Sequence, residues 1–356
     1  MAAERLPIGS RIGILGGGQL GRMLAVAASR LGMEVEIFEP AADPCAGQVA
    51  NRVTRAEYDD VGALSDFASR IDVATYEFEN VPLGAARVLS DLVPVRPGMG
   101  ALEVSQDRIV EKDFLTGIGL ATAPYAAVDD FGDLTAALGR IGAPAILKTR
   151  RFGYDGKGQT RLTDPDEAPA GWESLGETPS VLEGFVAFDR EISVIAARGI
   201  DGQVVAFDPG ENAHEDGILR TTTVPAAIPK PLAQDAVLLA GRILNALDYV
   251  GVIGVELFVT PSGLIVNEIA PRVHNSGHWT QDACLIDQFE QHIRAVAGLP
   301  LGDGKRHLDV VMENLIGDDM DRVAALLAQP RTQVHLYGKG QARPGRKMGH
   351  VNRIAG

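Results

Sequence analysis

Residues 252–277 read VIGVELFVTPSGLIVNEIAPRVHNSG. Two apolar, β-branched runs, 252–260 and 264–269, flank the turn signal Pro261-Ser262-Gly263, so the stretch predicts a β-hairpin. A carboxylate interrupts each run. With the loop taken as those three residues, Thr260 faces Leu264, and counting back along both strands sets Glu256 directly opposite Glu268. Directly opposed side chains have Cβ atoms about 4.5–5.5 Å apart, and like charges there destabilise a sheet. A hard divalent cation with oxygen ligands is the simplest group to place between them. Asn267 and Asn275 are neutral oxygen donors close by, and Mg2+ held in this way keeps positions for phosphate oxygens. The competing reading is two charges on a solvated hairpin face. Loop length decides the geometry, because a one-residue change moves the two acids to opposite faces.

The chain around this hairpin has 356 residues, 46% hydrophobic and 22% charged, enough for two or three domains with their own cores. A net charge of -14 argues against general affinity for nucleic acid or an anionic membrane, both of which need a basic surface. There is no apolar run of membrane-spanning length and no signal-peptide core at the N-terminus, so a cytosolic protein is expected. Two distant cysteines, Cys45 and Cys284, fit a reducing compartment and form no metal spacing.

From the N-terminus, a strand over 11–15, the loop GGGQLG at 16–21, a helix over 20–31 and a strand over 34–39 predict a βαβ start. The glycines match G-x-G-x-x-G, and Glu39 stands near the spacing of a ribose-binding acid, which makes a dinucleotide site one reading and simple turn geometry the other. Alternation continues with helices over 61–70 and 82–90 and strands over 71–78 and 92–95, giving a doubly wound parallel sheet. Glu77 and Glu79 end one of its strands, where ligands bind such sheets; a solvated strand end explains them equally.

A helix over 105–116, a short helix over 134–141 and a strand over 145–150 come next. Lys148 lies on that strand, and RRFGYDGKGQ (150–159) follows it. A strand lysine with a flexible, basic, glycine-rich hairpin suits a triphosphate: backbone N–H groups for the oxygens, lysine for the charge, no side-chain bulk. The alternative is a mobile surface hairpin. VLEGFV (181–186) suits an adenine slot, and Glu191 could accept from ribose hydroxyls. HNSGH (274–278) mimics the spacing of a zinc helix, but Pro271 and Gly277 oppose a helix and no glutamate follows His274. From 323 to 356 there is no Asp or Glu, whereas Arg331, Lys339, Arg343, Arg346, Lys347 and Arg353 are basic, so YGKGQARPGRKMGH reads as an ordered phosphate-monoester site or a solvated tail.

The lysine strand, glycine lid loop, VLEGFV and the paired carboxylates ending in NEIAPR resemble the ATP-grasp ligases. Within them, GILGGGQLGRM, TYEFENV, RRFGYDGKGQ, NEIAPRVHNSGHWT and RPGRKMGH are similar to the branch that carboxylates 5-aminoimidazole ribonucleotide in purine biosynthesis, over nearly the whole chain. The resemblance implies an α/β ATP-grasp fold. An N-terminal Rossmann-like, doubly wound parallel-sheet (pre-ATP-grasp) domain would span 1–104, an ATP-grasp domain 105–300 with a lid at about 122–187, and a small C-terminal β-rich domain 301–356. It also moves the first glycine loop to the nucleotide substrate's side, with no nicotinamide used.

Residue by residue, the resemblance implies ATP contacts from Arg108, Lys148, Gly153, Tyr154, Asp155, Gly156, Lys157, Gly158, Gln159, Glu183, Gly184, Phe185, Val186, Glu191, His214, Asn267 and Glu268. Glu256 and Glu268 would hold Mg2+, with Mn2+ a substitute. The ribonucleotide would meet Gln19, Leu20, Glu79, Asp155 and Asn275, with its phosphate on Lys339, Arg346 and Lys347. Lys148, Arg272 and Glu268 would carry catalysis, Arg272 by holding bicarbonate. The implied partners are ATP, bicarbonate and the ribonucleotide, a second copy of the chain in a homodimer, and a downstream carboxyaminoimidazole ribonucleotide mutase. A formate-using glycinamide ribonucleotide transformylase is the competing ligase.

Overall fold

The computed structural model describes residues 5–153 and 156–355. Tyr154 and Asp155, both expected at the nucleotide, therefore lie outside the described residues.

The N-terminal sheet is built on β1 (Arg11–Leu15), in which Ile12, Ile14 and Leu15 are wholly buried. It pairs in parallel with β2 (Glu34–Phe38) on one side and with β4 (Val73–Tyr76) on the other, and β3 (Arg52–Thr54) extends the edge in the order β3-β2-β1-β4. Near-continuous apolar strands are what a parallel sheet covered on both faces requires. Helices α1 (Gln19–Arg30), α2 (Val61–Ala68) and α3 (Leu83–Ser90) cover it. The strand expected over 92–95 is reduced to one bridge, Val95 with Ala74, since Pro94 and Pro97 on either side have no N–H to continue a ladder. A separate helix, α4 (Met99–Ser105), comes first, and the helix expected over 105–116 begins three residues later, as α5 (Arg108–Gly117). The Asp107 carboxylate accepts the Ile109 N–H at 3.0 Å, so this residue caps a new helix and makes Arg108 its first member.

A second, antiparallel sheet has the order β5-β8-β6-β7, from β5 (Tyr125–Val128), β6 (Ala145–Thr149), β7 (Gln159–Leu162) and β8 (Ser180–Gly184). With α6 (Phe131–Ile141) and α7 (Ala168–Ser174) it encloses a separate core that includes Leu134, Leu147, Trp172 and Leu182. These elements occupy the segment expected to form the lid, and that name is kept for them below.

The largest sheet comprises β9 (Arg190–Arg198), β10 (Val204–Ala206), β11 (Gly210–Glu215), β12 (Ile218–Val224), β13 (Gly251–Thr260), β14 (Gly263–Ala270), β15 (Asp309–Ile316), β16 (Thr332–Leu336) and β17 (Lys347–Ala355). Its order is β14-β13-β9-β11-β12-β15-β17-β16, with β10 attached to β9. The C-terminal strands thus do not form a sheet of their own; β15 joins the central sheet through antiparallel pairing with β12. Helix α8 (Lys230–Ala246) packs on β9, α9 (Thr280–Ala283) meets β17, and α10 (Gln288–Val296) lies between this sheet and α1. No helix among the described residues is long and apolar enough to cross a membrane.

The hairpin is one residue tighter than expected. Thr260 pairs with Gly263, not with Leu264, and carried through unchanged that register would set Glu256 against Asn267. A β-bulge between Glu256 and Leu257 leaves Asn267 as the extra residue, and Glu256 faces Glu268 after all.

Buried His292 on α10 locks the N-terminal sheet to this hairpin. Its Nδ1 accepts the Val252 N–H at 3.1 Å, which leaves the proton on Nε2, 2.8 Å from Thr75 Oγ1 on β4. The Arg96 guanidinium adds a hydrogen bond to Val296 O at 2.6 Å across the same seam.

Candidate active site

The hairpin carboxylates lie where the central sheet meets the charges of α5 and the β6 strand, Arg108 and Lys148 both acting on Glu268. Arg108, placed by the Asp107 cap, donates to Glu268 at 3.0 Å. Burial pushes the Glu268 carboxyl up, but the charges of Arg108 and Lys148 outweigh it and hold it well below the ordinary range. Glu256 shifts the other way, raised by burial and by the charge of Glu268 opposite. His274 Nε2 lies 3.5 Å from Glu256, and burial together with Arg272 depresses this imidazole to about 3, so it is neutral there. On the adjacent strands, His214 Nδ1 is 2.5 Å from Glu191. Burial pulls that imidazole down, yet the Glu191 carboxylate wins and raises it.

Above this wall stands the lid. Lys148 on β6 pairs with Gln159 on β7 and Val181 on β8, and its ammonium donates to the Glu183 carboxylate at 3.1 Å. The glycine hairpin requires its glycines. Gly156 and Gly158 have φ of 74° and 70°, and a Cβ on Gly158 would meet Thr149 Oγ1 at 2.6 Å. At the tip, a Cβ on Gly156 would lie 3.1 Å from Gly217 in the turn between β11 and β12, so the lid tip reaches the central sheet. A Cβ on Gly153 would come within 3.7 Å of the Arg108 guanidinium, so Arg108 lies under the lid. Within 183–186, Gly184 N–H donates to Pro124 O at 2.8 Å and Phe185 N–H to Pro144 O at 3.1 Å, while the Phe185 ring carries the Arg161 guanidinium at 4.3 Å.

The other wall belongs to the N-terminal and C-terminal segments. Glu79 and Arg272 form a two-pronged ion pair, 3.0 Å on one side and shorter on the other. A residue expected to touch the ribonucleotide and one expected to hold bicarbonate are thereby joined. Asn275 is buried and exchanges amide hydrogen bonds of 2.9 and 2.7 Å with Asn314 of β15. Lys339 Nζ donates to Lys347 O at 2.8 Å, Arg346 donates to Gln341 O at 3.0 Å, and Gln48 reaches Gly338 O at 2.8 Å. Gln48 also accepts from Arg22 at 2.7 Å, so the basic C-terminal loop is tied to α1, whose first turn holds Gln19 and Leu20. Burial pulls the Lys339 ammonium down, with Arg346 and Lys347 pushing the same way: three cations converge here.

The first glycine loop is already filled. Gly17 N–H donates to Glu39 at 2.8 Å, and Gly18 and Gly21 both donate to buried Glu77, the latter at 2.6 Å. The protein's own carboxylates take the amides that a dinucleotide pyrophosphate would need.

Sequence reasoning missed Lys112, Glu111, His274 and the loop-clamping role of Glu77. Lys112 is buried with Nζ 3.2 Å from Glu183. It stands four residues after Arg108 on α5, a spacing that puts both cations on one helix face and could have revealed it. Glu111 accepts the Ile269 N–H at 2.7 Å and is raised to about 7 by burial and by Glu268.

Among the described residues no group of three or more His, Cys, Asp or Glu side chains could hold a metal ion by itself. Glu256 and Glu268, with Asn267 at the bulge, are nevertheless an all-oxygen donor set of net negative charge, which fits a hard cation that completes its shell on phosphate oxygens and water.

The chain matches three family descriptions in succession: ribonucleotide synthetase preATP-grasp domain over 10–106, ATP-grasp domain over 113–289, and phosphoribosylaminoimidazole carboxylase C-terminal domain over 310–356. It is 58% identical to the N5-carboxyaminoimidazole ribonucleotide synthase of Brucella melitensis, covering 99% of both chains. To the enzyme of the same name from Bacillus subtilis it is 41% identical, covering 99% of this chain and 93% of that one. Among solved structures it superposes on the Staphylococcus aureus N5-carboxyaminoimidazole synthetase complexed with ADP, with a TM-score of 0.95 at 36% identity, over 99% of this chain and 95% of that one. The Aspergillus clavatus synthase in complex with ADP and 5-aminoimidazole ribonucleotide gives 0.92 at 30% identity, over 98% and 94%. By sequence along its whole length and by the order of its domains, the chain belongs to the N5-carboxyaminoimidazole ribonucleotide synthases, a family of ATP-grasp ligases.

Proposed function

We propose that the protein carboxylates the amine of 5-aminoimidazole ribonucleotide at the expense of ATP and bicarbonate, releasing ADP and phosphate, in de novo purine biosynthesis. The observation that carries this reading is that two groups of cations converge on the hairpin carboxylates. Lys148, Arg108 and the glycine lid form one, Lys339, Arg346 and Lys347 form the other, and the Glu79–Arg272 pair stands with the second.

In this reading Lys148, Arg108 and the amides of 153–159 bind the triphosphate, while the 183–186 segment, Glu191, His214 and Asn267 hold the adenosine. Glu256 and Glu268 hold Mg2+, or Mn2+ in its place, which neutralises charge on the phosphates when bound. A bicarbonate oxygen attacks the γ-phosphorus of ATP, the bond to the β-phosphate oxygen breaks, and ADP leaves. Charge develops on the transferred phosphoryl oxygens, where the Lys148 ammonium and lid amides provide stabilisation. The exocyclic amine attacks the carboxyphosphate carbon and the bond to the phosphate oxygen breaks, expelling inorganic phosphate, or it captures CO2 already released from carboxyphosphate with that phosphate; either way the amine loses a proton as the carbamate forms. Arg272 is oriented by Glu79 towards the carboxylate of that intermediate, and the three C-terminal cations hold the ribonucleotide phosphate against Gln19, Leu20, Glu79 and Asn275. Lid closure excludes water from an intermediate that hydrolyses readily. A cytosolic homodimer that hands its labile carbamate to a mutase completes the assignment.

The test is ADP release from MgATP in bicarbonate buffer with and without 5-aminoimidazole ribonucleotide, with the carbamate followed by coupling to a mutase. Strong stimulation, with carbamate formed in proportion to ADP, is expected. ADP release indifferent to the ribonucleotide, or supported by formate and glycinamide ribonucleotide instead, would overturn the acceptor.

A further inference from the structure

Glu183 sits in the middle of the lid sheet, on β8, with β5 on one side and β6 on the other. One of its oxygens, Oε2, faces two ammonium groups, Lys148 Nζ at 3.1 Å and Lys112 Nζ at 3.2 Å. All three side chains are withdrawn from solvent, but unequally: Lys148 retains 12% exposure, Lys112 only 1%. Neither Lys112 Nζ nor the second oxygen of Glu183 makes a hydrogen bond among the described residues. Two ammonium groups thus share one carboxylate oxygen, in a place where removing either partner of a buried pair is costly. A buried lysine whose contact lacks hydrogen-bond geometry contributes by its charge rather than by a specific bond.

On the reading that this site binds ATP, we propose that Lys112 is a positioning residue. It remains as the resident counter-ion of Glu183, so that Lys148 can leave that carboxylate and move its charge onto the phosphates. The asymmetry in exposure assigns the parts, since Lys148 retains access to solvent whereas Lys112 is enclosed between α5 and the lid. Without Lys112, Lys148 is the one ammonium left against that buried carboxylate, with Arg108 acting only at longer range, and drawing Lys148 to phosphate would strip Glu183 of its near counter-ions. Electrostatics agree: burial raises the Glu183 carboxyl, yet Lys148 and Lys112, with Arg108 behind them, outweigh burial and hold it below the ordinary value. Lys112 thus acts through Lys148 without touching the nucleotide.

The experiment is calorimetric titration of the full chain with MgADP, alongside steady-state kinetics, for the wild type, Lys112→Met, Lys112→Arg, Glu183→Gln and the Lys112→Met/Glu183→Gln double variant. Lys112→Met is expected to weaken MgADP by about a hundredfold, the effect of stranding a buried charge, with the ribonucleotide KM changed less than about twofold. Lys112→Arg should recover most of the affinity. Once Glu183 is neutral, Lys112 has nothing to compensate, so Lys112→Met in the Glu183→Gln background should cost less than about threefold. A loss of the same size in both backgrounds, which would mean that Lys112 acts on the nucleotide itself or on packing alone, overturns the proposal. So does wild-type affinity in Lys112→Met. If Lys112→Met alone does not fold, the comparison of Glu183→Gln with the double variant decides by itself. MgADP binding without ribonucleotide-stimulated ADP release would sink the proposed reaction while the Lys112 comparison still stands.

Discussion

Two regions of this molecule look like anion-binding devices, and they have opposite internal accounts. At the first glycine loop the Gly17, Gly18 and Gly21 amides already donate to Glu39 and Glu77. The loop is a closed structural joint whose donors have partners inside the protein. At the β13–β14 hairpin two carboxylates oppose each other across a bulge, Glu256 raised and Glu268 lowered, with Arg108 satisfying only the second. A motif is legible as a binding site through what remains unsatisfied in it. By that measure a glycine fingerprint with filled amides is weaker testimony than two glutamates that should not have been placed together.

Breaking the open side should cost the most. Glu268→Gln is expected to lower turnover by about 10²-fold or more while leaving the denaturation midpoint near wild type, because it removes charge that the phosphates and a cation need rather than a packed group. Measuring ADP release across a Mg2+ titration checks this, and wild-type turnover at low Mg2+ would remove the metal role. Breaking the closed side should instead cost stability. Glu77→Ala strands two loop N–H groups and should lower unfolding free energy by about 2–4 kcal/mol in a urea titration, with MgADP affinity nearly unchanged. If Glu77→Ala proved stable but failed to bind MgADP, the contrast between the two regions would collapse.

The C-terminal cations sharpen the same contrast at a smaller scale. Arg346→Ala should raise the ribonucleotide KM about tenfold and that for ATP by less than about twofold, as expected for a charge on one phosphate. Equal effects on both substrates would remove Arg346 from the phosphate wall. The smallest effect concerns the seam between the regions. His292 is depressed to about 3 by burial, below the roughly 6.5 of an unfolded chain. As pH falls below about 6.5 the unfolded state takes up a proton that the folded state refuses. Stability is therefore complete above that pH and declines below it, at a limit of about 1.4 kcal/mol per pH unit for this residue. Denaturant midpoints between pH 7.5 and 5.5 should show the slope, and His292→Asn should reduce it by that share, leaving the part that other buried imidazoles such as His274 contribute.

Much of this architecture can be read from the chain. The apolar run at β1, the helix after the glycine loop and the strand bearing Lys148 follow from local periodicity and turn chemistry, which are properties of neighbouring residues. What could not be read depends on distance along the chain. The clamp of Glu77 on Gly18 spans 59 residues and the Asn275–Asn314 exchange 39, and no local pattern announces either. The same holds for the C-terminal strands, whose composition suits a small separate unit but whose β15 completes the sheet of β12. The later start of the helix expected over 105–116 was foreseeable, because Asp107 is an ordinary capping residue directly before Arg108. Lys112 was foreseeable too, one helical turn after Arg108, had that helix been treated as a wall of the site.

The bulge at Asn267 behaves like a suppressor in a reading frame. The turn at Pro261-Ser262 omits a residue that the hairpin needed for Glu256 to meet Glu268, and the strand inserts one before the damage reaches the glutamate. Turn and bulge are thus a paired deletion and insertion, each harmful alone and silent together. A variant that lengthens the turn by one residue and deletes Asn267 should keep Glu256 opposite Glu268, though without the Asn267 side chain, whereas either change alone should move the two glutamates out of register. Two positions with no direct contact are bound to drift, or to stay fixed, as one.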